Sequence, residues 1–226
     1  MTPTITIIAA HDTNDHFVVA DKPHGLLSVP GRGPDKADCA AARIAAMFPR
    51  ATGPIICHRL DMDTSGLIVF ALTPEAQRHL SMQFEARTVA KRYIALLDGR
   101  PPADSGTIDL PVFFDYENRP RKIIDERGKP AQTHWRTIDT GTDDQGQWTR
   151  VEFTPITGRS HQLRVHAAAP PNSDNAAGGL GAPIRGDSLY NPRAQEGDRL
   201  HLHAACLAFD CPTNRWRVEC HSAPTF

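Results

Sequence analysis

The chain has 226 residues, 40% of them hydrophobic, and a formal net charge of -1. That suits one sizeable domain with a real core, and a neutral total is a first caution against a nucleic-acid partner, whose phosphates call for positive charge. No stretch approaches the roughly 18 apolar residues that a membrane span needs, and Met1-Thr2-Pro3-Thr4-Ile5 does not open a signal peptide, so the cytoplasm is the expected compartment.

In chain order, residues 5–8 and 17–20 read as strands, and residues 21–31 (DKPHGLLSVPG) as a loop punctuated by proline and glycine. Residues 37–48 have helical character, with Ile44, Met47 and Phe48 available for one face. The continuous apolar run at 67–72 predicts a buried strand. Residues 74–87 predict a helix with Thr73 as N-cap and Pro74 at its first position, and with Leu80 and Phe84 on one side. KRYIALL (91–97) predicts a strand. Residues 131–138 and 148–155 predict a hairpin around an acidic loop holding Asp139, Asp143 and Asp144. A short helix over 160–169, a patternless loop over 170–183, and a strand pair over 200–209 and 215–220 close the chain. Strands outnumber helices and most are joined by short turns. The expected fold is therefore α+β: a single domain spanning 1–226, built on a mixed, mostly antiparallel sheet with flanking helices and a central active-site cleft.

The five cysteines, Cys39, Cys57, Cys206, Cys211 and Cys220, are odd in number and lack a framework spacing, so reduced thiols are expected. Positive charge clusters at Arg119, Arg121, Lys122, Arg127 and Lys129, and at Arg87, Lys91 and Arg92. A neutral sum can thus hide a basic face, although mixed solvated charge explains the same numbers.

Four stretches carry chemistry. HRLDMDTSGL (58–67) sets an imidazole, a guanidinium, two carboxylates and two hydroxyls against the start of the buried strand. A carboxylate there is costly unless paired. A structural Arg–Asp pair, metal binding by His58 and Asp61, or a catalytic carboxylate would each account for it. An aspartic-protease reading of DTSG fails, because Ser65 stands where glycine is required and the motif is not repeated. In TGRSHQLRVHAAA (157–169), Arg159, His161, Arg164 and His166 crowd one short helix after a core strand. A solvated basic face competes there with an arginine fork reaching a carboxylate elsewhere. Tyr93 is either strand packing or an aromatic plate for a base. His201 and His203 alternate in HLHAACLAFDC, but no paired His or Cys spacing supports a closed zinc site, so buried, hydrogen-bonded histidines are expected.

These pieces together resemble the RluA-type pseudouridine synthase family. HRLDMDTSGLIVFALT is similar to its His-Arg-Leu-Asp-x-x-Thr-Ser-Gly motif, VVADKPHGLLSVPG (18–31) to its Lys-Pro-x-Gly loop, and KRYIALLDG (91–99) to its tyrosine strand. TGRSHQLRVH (157–166) and PIRGDSLY (183–190) are similar to its third motif, and all five occur in the family's order. Residues 109–135 (DLPVFFDYENRPRKIIDERGKPAQTHW) resemble the short members that act on both a transfer-RNA anticodon stem-loop and a large-subunit rRNA hairpin, as does the lack of an N-terminal S4-like domain. His24 stands where a small residue is more usual, Asp63 adds a charge, and the loop over 170–181 is longer than expected.

The resemblance implies an isomerase that detaches uracil at N1 and rejoins it through C5, with no cofactor and no metal. Asp61 would be the essential carboxylate, attacking C1′ or taking a proton from C2′. Arg164 would keep it ionised in a dry pocket. Tyr93 would stack on the uracil and help remove the C5 proton. Arg59 would fill space or contact phosphate as the base leaves the stack, and Leu163 would form an apolar wall. Arg119, Arg121 and Lys122 would grip the phosphates of a tRNA or rRNA stem-loop, whose target base is flipped out. The expected state is a monomer. The competing readings are a non-catalytic RNA-binding module, a metal-dependent hydrolase using His58, Asp61 and Asp63, and a structural pair of Asp61 with Arg164 that carries no chemistry.

Overall fold

A computed structural model describes residues 4–10, 16–53, 55–171 and 178–226. They form two compact units, one of residues 1–91 with 203–225, the other of residues 92–202 with Phe226. The central part of the long loop expected over 170–183 lies outside the described residues.

In the first unit, β1 (Thr6–Ala10) pairs antiparallel with β2 (Phe17–Lys22), and β2 with β3 (Ser65–Ala71). β3 is buried along its whole length, as the continuous apolar run predicted. It pairs in parallel with β10 (Leu202–Asp210), which pairs antiparallel with β11 (Arg217–His221). Gly66 makes the parallel contact possible: its φ is +109°, and a Cβ there would sit 2.4 Å from the carbonyl oxygen of Ala204.

Two helices flank this sheet. α1 (Ala40–Met47) starts later than expected because Cys39, not a residue near 37, caps it, its Sγ accepting from the Ala42 N–H. Ile44 is fully buried, but Met47 is exposed, so the expected apolar face is narrower. α2 (Pro74–Ala86) has the predicted Thr73 cap, with Thr73 Oγ1 accepting from Ala76 N at 3.2 Å. Its Leu80 and Phe84 pack with Phe17, Val69, Leu207 and Phe209.

In the second unit, β4 (Ala90–Asp98), β9 (Gly146–Pro155), β8 (Gln132–Asp143) and β5 (Ser105–Asp109) lie side by side, all antiparallel. The fold is thus α+β on a mixed, mostly antiparallel sheet. β5 was not foreseen, nor was the small hairpin of β6 (Val112–Phe114) and β7 (Lys122–Ile124). The expected acidic loop is mostly strand: β8 runs to Asp143, which stands opposite Gly146. Arg185 accounts for this, bonding Asp143 Oδ2 at 2.7 Å and Asp98 Oδ1 at 2.8 Å and so holding the far end of the hairpin. α3 (Gln162–Ala168) packs its Leu163 and Ala167 with Leu97, Trp135, Phe153 and Ile184.

Candidate active site

The loop before β3 is held by its backbone. The carbonyls of four successive residues each accept a hydrogen bond: Leu60 from Ser28 Oγ at 2.7 Å, Asp61 from the Thr64 N–H at 3.2 Å, Met62 from Lys22 Nζ at 2.9 Å, and Asp63 from the His24 ring at 2.8 Å. Because a carbonyl can only accept, His24 must carry its proton on Nδ1. Ser28 Oγ also accepts from the Leu60 N–H at 3.1 Å. Three of the four donors belong to the DKPHGLLS segment, which explains physically why the two motifs occur together. None of these bonds uses the Asp61 carboxylate, which is half-buried.

Lys22 has no solvent exposure. Its ammonium donates to the carbonyls of Pro23, Leu26 and Met62 at 2.7–2.9 Å, one acceptor for each of its three N–H groups. Burial pushes its pKa down to about 7, against the opposing pull of Asp63, Asp61 and Asp21. His58 is structural. Its Nε2 accepts from the Val69 N–H at 3.0 Å, and its ring stacks on Phe84 at 4.3 Å. Burial, with a smaller push from Lys91, lowers its pKa to about 3.

Of the two readings of the short helix, the solvated basic face fails, because α3 is buried from Gln162 through Ala167. Its polar side chains find partners instead. Gln162 bonds Thr157, the Arg159 N–H, Thr133 and the Gln132 carbonyl. His166 donates from Nε2 to the Leu110 carbonyl at 3.0 Å and meets Thr133 through Nδ1, and burial lowers its pKa to about 4. Arg164 makes a two-pronged bond to Asp187, at 2.8 and 2.6 Å. Asp187 is fully buried and also accepts from the Leu189 and Tyr190 N–H groups. A buried guanidinium with a fully bonded carboxylate is a fixed cation, not a mobile surface charge.

Tyr190 ties this corner together. Its hydroxyl accepts from the Lys122 N–H at 2.7 Å and meets His161 Nδ1 at 2.8 Å. Its ring lies under Arg121 at 5.4 Å and Arg164 at 5.3 Å. Burial raises its pKa to about 12. On the β6–β7 hairpin, Lys122 Nζ sits 3.6 Å from the centre of the Phe114 ring, and Arg119 lies over Phe114 and Tyr116. Tyr93 is half-buried on β4, opposite Phe153, and Leu163 belongs to the core of its unit. Asp61 and Arg59 lie in the first unit; Tyr93, Leu163, Arg164, Arg119, Arg121 and Lys122 lie in the second.

Residues 16–169 match the family described as RNA pseudouridylate synthase. The chain belongs to that family. It is 44% identical over 216 residues to the dual-specificity RNA pseudouridine synthase RluA of Pasteurella multocida (strain Pm70), covering 94% of this chain and 91% of that protein. To the protein of the same name from Escherichia coli (strain K12) it is 45% identical over 202 residues, covering 88% and 85%. Among solved structures, human RNA pseudouridylate synthase domain containing 1 superposes with a TM-score of 0.78 at 28% identity, over all of this chain and 87% of that one.

Membership of the synthase family favours the catalytic reading over a bare binding module. The hydrolase reading also loses its His58, whose Nε2 is already engaged by Val69. Among the described residues, the His, Cys and carboxylate groups close enough to share an ion are Cys206, Glu219 and His221. There Cys206 Sγ donates to Glu219, and His221 lies 3.1 Å from the same carboxylate oxygen. Of the two histidines expected to be buried and bonded, His203 is, whereas His201 stacks on Phe226 and its Nδ1 has no partner among the described residues. All five cysteines are free thiols, and no helix of the described residues is long and apolar enough to cross a membrane. Sequence reasoning did not single out Lys22, Asp187 or Tyr190, although all three lie within motifs it quoted.

Proposed function

We propose that this synthase isomerises uridine in structured stem-loops, in a transfer-RNA anticodon arm and a large-subunit rRNA hairpin. The names of its relatives in Pasteurella and Escherichia, which state dual specificity, support that range. The observation that carries the site assignment is the fourfold anchoring of the carbonyls of residues 60–63. A loop whose successive carbonyls are all bonded holds in place the backbone that carries Asp61, as catalysis of bond exchange at a sugar carbon requires.

In this reading the target uridine is flipped out of its loop, at least cost where it is already unpaired. Asp61 acts on the ribose as the N1–C1′ bond breaks. The uracil turns while stacked on Tyr93 and walled by Leu163. C5 then bonds to C1′, the C5 proton is lost, and N1 gains a proton. Water is kept out because the freed uracil has to be retained. Arg164, fixed by Asp187, favours the ionised form of the carboxylate. Arg59 accompanies the extruded base, and Arg119, Arg121 and Lys122 contact stem phosphates. The protein works as a cytoplasmic monomer without metal or cofactor.

The test is tritium release from RNA labelled at uridine C5, using an anticodon stem-loop and an rRNA hairpin in the presence of EDTA. Wild type should release tritium from both. Asp61→Asn, shown to be folded, should be slower by at least about 10²–10⁴-fold. Release that survives in Asp61→Asn, or that vanishes with the chelator, would overturn the assignment.

A further inference from the structure

The peptide anchors account for residues 60–63. At the end of the same loop, where Ser65 opens β3, a second set of contacts begins. Ser65 Oγ lies 2.9 Å from His203 Nδ1, His203 Nε2 lies 3.1 Å from Ser222 Oγ, and Ser222 Oγ donates to Asp21 Oδ2. Ser65 and His203 stand opposite each other in the parallel β3–β10 pair, and both are buried, at 4% and 3% exposure. Asp21 is the β2 neighbour of Lys22, which holds the Met62 carbonyl. Two adjacent β2 residues are therefore linked to the two ends of the Met62–Ser65 segment.

The direction of this chain follows from its end. A carboxylate only accepts, so the Ser222 hydroxyl proton goes to Asp21. Ser222 Oγ is then left to accept from His203, which must carry its proton on Nε2. In the neutral ring His203 Nδ1 is then bare, and it accepts from the Ser65 hydroxyl. Along this chain Ser65, His203 and Ser222 each donate toward Asp21.

We propose that His203 is a positioning residue for the isomerisation: through the Ser65 hydroxyl it fixes the exit of the Asp61 loop, with its tautomer set by Ser222 and Asp21. The inference rests on the catalytic reading of Asp61 above. It makes the His203 acceptor atom, not the bulk of the ring, the functional feature.

Two near-isosteric substitutions separate those possibilities. In His203→Asn the amide oxygen stands where Nδ1 stood and can still accept from Ser65, while the link to Ser222 is lost. In His203→Gln the amide nitrogen can still reach Ser222, but nothing replaces Nδ1. The expected result is that Asn retains kcat within a few-fold, whereas Gln loses about ten- to a hundredfold in kcat with KM little changed, the cost of a misplaced reacting group. Ser65→Ala should resemble Gln. Equal behaviour of the Asn and Gln variants, or a loss confined to KM, would overturn the proposal.

A measurement independent of turnover accompanies these assays. The ring nitrogens of His203 should show a protonated Nε2 and a bare Nδ1 by NMR, and hydrogen exchange at the Thr64 amide should accelerate in the Gln variant but not in the Asn variant. The opposite tautomer, or unchanged exchange in both variants, would sink it even if the substrate assignment failed. An active wild type with indistinguishable variants would refute this inference alone. An inactive wild type with the expected exchange pattern would refute only the reading on which it rests.

Discussion

Arg164 and Asp187 stand 23 positions apart, and both are buried. Arg164 was legible as a candidate because polar side chains crowd a short helix directly after a core strand. Its partner in the second unit was not, since nothing in PIRGDSLY says which of its side chains turns inward. Lys22 was hidden for a similar reason: a lysine beside proline reads as a loop charge, and only tertiary structure reveals three carbonyls around it. Asp61 was legible from the density of polar groups against a run that had to be buried. Asp187→Ala should strand a buried guanidinium and cost about 3–5 kcal/mol of stability. Urea unfolding would measure this, and a loss below 1 kcal/mol would mean that solvent or another anion takes the place of Asp187.

At the level of elements, β3, α2 and the termini of the β8–β9 hairpin followed from periodicity and capping. β5, β6 and β7 did not, because each is five residues or fewer and set among proline, glycine and charge. The hairpin's far end was read as a loop because Asp and Gly have low strand propensity, and the Arg185 pairing that overrides this is a long-range contact. The basic cluster also changed meaning. Arg119 and Lys122 lie over rings of the β6–β7 hairpin itself and Arg121 over Tyr190, so each of these charges has an aromatic neighbour. Replacing all three with alanine should weaken RNA binding and flatten the dependence of log affinity on log salt by up to about three. Filter binding at several salt concentrations would show it; an unchanged slope would remove this hairpin from the RNA interface.

Across the whole molecule, buried histidines make stability depend on pH. His58 titrates at about 3 and His166 at about 4 in the folded chain, both lowered chiefly by burial. An unfolded histidine takes its proton near 6.5. Below that value the unfolded chain binds protons that the native one does not, so the contribution of these two histidines is fully present above pH 6.5 and is lost as pH falls from there through the folded values. Each of the two contributes a slope approaching about 1.4 kcal/mol per pH unit. Unfolding free energies at pH 7, 6 and 5 should fall accordingly, and His166→Gln should remove one proton's share of the slope. A flat profile over that range would contradict the buried, neutral assignment.

The first unit is interrupted in sequence, since residues 203–225 return to join residues 1–91. As a ribosome extends the chain, every strand from β4 to β9 emerges before β10 can settle beside β3. His203 and Ser222, which continue the contacts from Ser65 at the end of the Asp61 loop, are made only after residues 92–202 of the second unit. A nascent chain therefore carries Asp61 through the synthesis of all those residues before β10 and the contacts at Ser65 can form.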